Sequence, residues 1–276
     1  MDPEFYNLLA IIIVNVIFLI LGVFLNSLAI MVLCLKTQLR RKLSYFMIMV
    51  LSCCDLLTIV VNHPLSAIIS AYLIRKEFEV QHWVKITLEA TSYFHLTSVL
   101  SLLVMNIDRY VAIFHPFYHK TKVTKGRVLS LLGIMTMVNL VLLTLSIDKL
   151  VYSIQTYSVF FIVFFMSPML FINYKLFKFL RKARKTNALE HGKKTNSLRH
   201  TSNNLLAFAC SLFLYIPSIV AGLYAVSFPE SKVTIEKFLT LWLKTTVTMN
   251  STFNCLIFYW KNTLLRREGI RYILAK

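Results

Sequence analysis

Seven long apolar stretches, separated by shorter polar and basic segments, organise this 276-residue chain. They are Phe5–Leu35, Leu43–Ile74, Trp83–Phe114, Val128–Ile147, Leu150–Phe179, Asn204–Ser227 and Val233–Trp260. About 20 apolar residues cross the hydrocarbon core of a bilayer as a helix, and every stretch reaches that length. Inside lipid each backbone amide has to bond within its own segment, so an apolar stretch this long folds as a helix. Barrel strands would appear as short segments of alternating polarity, and the chain has none. The pattern predicts an all-α fold, a seven-transmembrane helix bundle that forms one domain over residues 1–276.

Two polar segments add detail. After the last stretch, Leu264, Leu265, Ile270 and Ile273 alternate with basic residues. That predicts a short amphipathic eighth helix over residues 261–274, lying on the membrane surface; a frayed basic tail is the alternative. Residues 181–200 are polar, basic and without apolar periodicity, which predicts a mobile third inner loop.

Composition supports the membrane class. Charged residues make up 15% of the chain, against roughly 25% in soluble domains. A net charge of +18 would suit a nucleic-acid binder, but its distribution points elsewhere. Of the 30 Lys and Arg, 23 fall on one side of the predicted spans, within Lys36–Lys42, Arg109–Arg127, Lys175–Arg199 and Lys261–Lys276. This positive-inside bias predicts a multi-pass plasma-membrane protein with its N-terminus outside and its C-terminus cytosolic. The basic face should meet anionic membrane lipids, and nucleic acid is not an expected partner. No basic segment precedes the first stretch and no small-residue cleavage site follows it, so no removable signal peptide is expected.

The five cysteines, Cys34, Cys53, Cys54, Cys210 and Cys255, all lie inside predicted spans. They read as small packing residues, and no disulfide is expected. The sequon Asn250-Ser251-Thr252 lies inside the seventh span, where no glycan can be added.

Polar residues inside the apolar stretches carry the functional signal, because each is expensive there. Asp55, in Leu51-Ser-Cys-Cys-Asp55, sits in mid-span. Such a carboxyl is a functional candidate; a protonated Asp55 bonded to Asn26 is the alternative. Asp108-Arg109-Tyr110 stands where the third span leaves the lipid, shortly before the helix-ending Pro116. Phe213-Leu-Tyr215-Ile-Pro217 places a helix-kinking proline in the sixth span. Asn250, Ser251 and Asn254 are spaced to lie near one face of the seventh.

Taken in order, these segments closely resemble the helix signatures of rhodopsin-like (class A) G-protein-coupled receptors. Gly22-Val-Phe-Leu-Asn26 matches the first helix, the Asp55 segment the second, Asp108-Arg109-Tyr110 the third, Asn173-Tyr174 the fifth and Tyr215-Ile-Pro217 the sixth. Asn254-Cys255-Leu-Ile-Phe258 resembles the Asn-Pro-x-x-Tyr segment of the seventh, with Cys255 for the proline and Phe258 for the tyrosine. The resemblance implies a receptor that passes an extracellular signal to a cytosolic heterotrimeric G protein, and no enzyme activity. It assigns coupling and activation to Asp108, Arg109, Tyr110, Tyr174, Asn254 and Phe258, and a switch to Tyr215 and Pro217. It assigns an allosteric sodium pocket to Asp55, Ser98, Asn250, Ser251 and Asn254, with no other cofactor. It places a ligand cavity around Thr91, Ser92, His95, Tyr215, Ser218, Lys244 and Thr248.

Departures from the family pattern matter. Val84 occupies the third-helix position of the usual outer disulfide, as in melanocortin, cannabinoid and lysolipid receptors, which also lack that bond. Ser197 stands where the sixth helix usually carries an acidic brake on the third-helix arginine, so the resting state is expected to be loosely held; Thr201 could offer Arg109 a weaker bond. In the family the fifth-helix tyrosine, here Tyr174, meets the seventh-helix tyrosine in the active state. Phe258 has no hydroxyl for that bond. Pro168 lies two residues nearer to Tyr174 than the usual proline does, which leaves the register of this helix open.

The ligand is a small molecule, lipid or peptide that the sequence does not specify. Thr91 stands where amine receptors carry Asp, which disfavours a monoamine. Lys244 either attracts an anionic ligand or reaches up to water. His95 is either a ligand contact or a hydrogen-bonded core residue. A transporter or channel using Asp55 is the rival class, but transporters show internal repeats and broken helices, and this chain has no repeat.

Overall fold

The computed structural model describes residues 3–75, 80–147, 151–189, 196–227 and 236–274. Within those ranges the side chains of 80–91, 142–143, 145–147, 151–162, 184, 186–189, 196–200, 222–227 and 236–239 lie outside the description. Among the described residues the chain is helical throughout, without strands. Its elements are α1 (Pro3–Leu35), α2 (Thr37–Arg41), α3 (Leu43–Arg75), α4 (Val80–Phe114), α5 (Pro116–Lys122), α6 (Lys125–Ile147), α7 (Val151–Leu189), α8 (Asn196–Ser227), α9 (Glu236–Lys261) and α10 (Thr263–Leu274). The seven long helices fall on the seven apolar stretches, and α10 falls on the amphipathic tail.

Two connections differ from the sequence reading. The segment over residues 181–200 is not a long loop. α7 continues to Leu189 and α8 begins at Asn196. The continuation is rich in Lys, Arg, Leu and Ala, good helix formers that extend a helix already nucleated in the membrane. Residues 190–195 lie outside the described residues. The short helices α2 and α5 fill the basic connections after α1 and α4, where Pro116 at the first turn of α5 presets the backbone.

The exterior is apolar and the interior carries polar groups among its apolar core residues, unlike a soluble bundle. Ile13, Ile17, Ile20 and Phe24 of α1 are exposed, whereas Asn15, Asn26, Asp55, Asn62, His63 and Asn106 are buried. A large apolar exterior marks a membrane surface, and buried polar groups join helices that lipid does not drive together. Among the described residues, five helical segments are long and apolar enough to cross a bilayer: Pro3–Leu35, Leu43–Arg75, Ser92–Phe114, Val163–Ala183 and Thr201–Ala221. Within α9, Thr245, Thr248, Asn250, Ser251, Thr252 and Asn254 are all buried, so its low hydropathy reflects a polar face turned inward.

α4 is the central element and packs against α3, α6, α7, α8 and α9. In its most apolar window 67% of residues are buried, compared with 22% in α1. The main core runs from Leu28 and Val32 of α1 through Leu96–Met105 of α4 to Phe208, Tyr215 and Phe258. Gly22 allows α1 to approach closely. A Cβ there would lie 2.6 Å from Thr252 Oγ1 and 2.7 Å from Ile59 Cδ1.

Candidate functional site

Three buried polar clusters follow the axis of the bundle. The first is at the end where the basic residues collect. Asp108 and Arg109 are adjacent on α4, and their side chains are only 2% and 7% exposed. Arg109 closes on its neighbour, donating Nε to Asp108 Oδ2 at 2.9 Å and Nη2 to the same oxygen. The other oxygen, Oδ1, meets His119 Nε2 of α5 at 2.8 Å. Both Asp108 oxygens are thus engaged by nitrogen. Tyr110 faces away from this pair and stacks on Phe114 at 4.7 Å, and Phe114 in turn meets Phe179 of α7 at 6.0 Å. Thr201 is buried at the same end of α8; the side chain of Ser197 lies outside the described residues.

The second cluster sits in mid-bundle. Asp55 is 0% exposed. Ser98 donates to its Oδ1 at 2.5 Å and Asn254 Nδ2 to its Oδ2 at 3.3 Å. Ser251 is also within interaction range of the carboxyl. Asn250 is tied to α8 by Ser211, whose hydroxyl donates to Asn250 Oδ1 at 2.8 Å. Helices α3, α4, α8 and α9 therefore meet around one carboxyl. Asn26 does not bond Asp55; it donates to the carbonyl of Gly22 at 2.9 Å. Two oxygens near this cluster, Asn254 Oδ1 and the Tyr215 hydroxyl, are buried without a hydrogen-bond partner.

The third cluster lies toward the other end. His95 Nε2 is 3.1 Å from Thr248 Oγ1 and 3.4 Å from Asn62 Nδ2, which makes His95 a hydrogen-bonded core residue. Beside it Asn15 donates to Thr245 Oγ1 at 2.9 Å and accepts from His63 Nδ1 at 2.7 Å. The Asn15 amide oxygen can only accept, so the proton sits on Nδ1 of His63 and leaves its Nε2 bare. Asn15 and His63 were missed by motif matching. The available signal was an amide and an imidazole inside apolar runs, where each demands a partner. Ser92, Ser218 and Lys244 are half-buried in this region, while the side chain of Thr91 lies outside the described residues.

Residues 25–147, a little under half of the chain, match the family of seven-transmembrane receptors of the rhodopsin type. Over that segment the chain is similar to rhodopsin-like receptors. The matched segment carries Asn26, Asp55, Ser98 and Asp108-Arg109-Tyr110; the positions on α7, α8 and α9 rest on the geometry above. No curated protein matches the chain's sequence.

Tyr174 and Phe258, paired by the resemblance, differ in burial. Tyr174 is 60% exposed on the outside of the bundle, and Phe258 is buried in the main core. The inward face of α7 is Met166, Met169, Asn173, Leu176 and Leu180. Shifting by the two residues that Pro168 is displaced moves the position from Tyr174 to Leu176, which is 0% exposed. Leu176 of α7 and Phe258 of α9 are both buried and apolar. All five cysteines of the chain are free.

α10 is stapled to the basic end of the bundle. Lys36 pairs with Glu268 at 2.9 Å, and Arg271 reaches the same carboxylate at 3.3 Å. The Lys36 hydrogen bond holds the Glu268 carboxyl below its ordinary range. Asn262 caps the helix through Leu265 N at 3.3 Å, and a Cβ on Gly269 would collide with Tyr259.

Proposed function

We propose that the chain is a G-protein-coupled receptor that transmits an extracellular ligand signal to a cytosolic heterotrimeric G protein. The observation that carries this reading is the enclosed Asp108–Arg109 pair at the basic end of the central helix. A charged pair placed there is tolerated by its mutual bonds and can be opened by a helix shift. Ligand binding at the opposite end shifts a two-state bundle. Movement of α8, bent about Pro217, frees Arg109 from Asp108 and presents it with the surrounding basic residues to the G protein. The positive-inside bias supports an outside N-terminus and residence in the plasma membrane. Arg109→Ala should abolish ligand-stimulated and basal second-messenger output at matched surface expression. Full output from that variant would end the proposal.

The donor set around Asp55 fits a sodium ion: one carboxylate with the neutral oxygens of Ser98, Asn250, Ser251 and Asn254. The unpartnered Asn254 Oδ1 is a buried acceptor that a hard cation would satisfy. Sodium would supply a positive charge to Asp55 and favour the resting arrangement of α3, α4 and α9. Raised sodium should then lower basal output in the parent receptor but not in Asp55→Asn; equal sensitivity of both would refute the pocket.

A further inference from the structure

An open cleft of about 790 Å³ runs between α7 and α8 at the basic end, on the outside of the bundle. Its composition is graded. Leu170, Phe177, Leu206 and Phe208 line the deep part, and Arg181 and Lys185 stand at the basic end. Arg181 and Lys185 are one helical turn apart and exposed. Neither forms an ion pair with a carboxylate among the described residues. At a rise of about 1.5 Å per residue, the step from Leu170 to Arg181 spans about 16 Å. That is close to the depth of one leaflet of a hydrocarbon core roughly 30 Å thick.

We infer that this cleft is a binding site for an anionic phospholipid of the leaflet facing the basic end, with an acyl chain along Phe177 and Leu206 and the phosphate on Arg181 and Lys185. Charge and depth together select that occupant. A neutral lipid would fill the apolar slot but leave two cations without a counter-charge. A soluble anion would meet the cations but leave Leu170 and Phe177 uncovered. In a cytoplasmic leaflet the required anion is abundant. The inference needs membrane insertion but not G-protein coupling, so it stands apart from the receptor reading.

The test uses the full chain in lipid nanodiscs with Phe177→Trp as a fluorescent reporter; the three natural tryptophans are subtracted with the parent chain. Phosphatidylglycerol and phosphatidylcholine with brominated acyl chains are compared as quenchers at equal bromine content. Quenching should favour the anionic lipid, on the order of 25-fold in relative affinity, since each of the two cations contributes about fivefold near an anionic headgroup. The preference should vanish in Arg181→Gln/Lys185→Gln, whose substituted side chains are exposed and not needed for folding. It should persist in inorganic phosphate compared with chloride at the same ionic strength. Equal quenching by the two lipids would overturn the site. So would a preference that survives the double substitution, or one that free phosphate removes, which would mark a soluble-anion site.

Discussion

Asp55 and Asp108 are both buried aspartates, on helices packed against each other, and they are satisfied in opposite ways. Asp108 is held by nitrogen on both oxygens, from Arg109 and His119. Asp55 is held by a hydroxyl and an amide, and it forms no ion pair among the described residues. A carboxylate with a built-in cation is a closed lock, because the protein cancels its charge. A carboxylate ringed by neutral donors leaves the positive charge to come from outside, as a proton or a hard cation. Position explains the contrast. The lock stands at a helix end, where long cationic side chains can reach water when it opens, and Asp55 stands in mid-span, where a resident cation would be costly.

The strongest way to break this comparison is Asp108→Asn. It leaves the Arg109 charge in a pocket where it is 7% exposed, without its counter-ion. Losing hydrogen bonds between charged groups costs about 1.5–3 kcal/mol, so thermal unfolding of the purified protein should shift clearly downward. His119→Ala should cost less, because His119 is 21% exposed and Arg109 keeps its partner. If the two substitutions cost the same, the lock depends on the histidine and not on the arginine.

Ser98→Ala tests the other acid. It removes the 2.5 Å bond to Asp55 Oδ1 and leaves a buried acceptor short of a donor, a loss of about 1–2 kcal/mol. Asp55→Asn removes the charge and keeps groups able to bond Ser98, so its unfolding temperature should stay near that of the parent. Thermal unfolding of both variants checks this; a larger loss for Asp55→Asn than for Ser98→Ala would mean that the carboxylate charge itself holds the bundle.

The bundle was legible in the sequence because lipid imposes one rule along each span: apolar outside and every amide bonded within its helix. The same rule made Asp55 and Arg109 conspicuous. Helical spacing put Asn250, Ser251 and Asn254 near one face of their span, whereas their grouping with Asp55 and Ser98 came from the family resemblance. What spacing could not deliver was contact between side chains far apart in the chain. His119 sits in the short basic connection after Pro116, and nothing in Pro116–Lys122 announces a helix that returns to Asp108. Nor could the pattern show that Asn15 would find His63 and Thr245. The end of α7 was misjudged for another reason: residues 181–189 lack an apolar face, but a helix leaving the membrane needs only good helix formers to continue. Tyr174 was chosen by residue type, whereas burial falls on Leu176 in the register of α7.

That register changes what Phe258→Tyr should do. Paired with an inward Tyr174, the new hydroxyl would favour the active state and raise basal output. With Tyr174 outside and Leu176 inside, the hydroxyl enters an apolar cluster and finds no partner. Burying it costs about 1–3 kcal/mol, so Phe258→Tyr should lower stability and leave basal second-messenger output unchanged or reduced. A rise with Phe258→Tyr would reinstate Tyr174 as its partner.

The smallest effect belongs to a third acid, Glu268, which sharpens the comparison because it is cation-paired at the surface. Lys36 and Arg271 hold it, but Lys36 is half exposed, so solvent screens most of the attraction. Its folded carboxyl lies below the usual glutamate range, chiefly through the Lys36 hydrogen bond. A depressed folded value means that the contribution is present above the unfolded glutamate value and is lost as pH falls through the folded one. At neutral pH Glu268→Gln should therefore loosen only α10, read as faster amide exchange over Thr263–Leu274, with the unfolding temperature unchanged. Acidifying the parent protein through the glutamate range should produce the same local loosening. The Gln variant should show no further change from this group. If exchange in α10 is unaffected by either, Asn262 and the Gly269–Tyr259 approach hold the helix, and cation pairing matters only where the acid is buried.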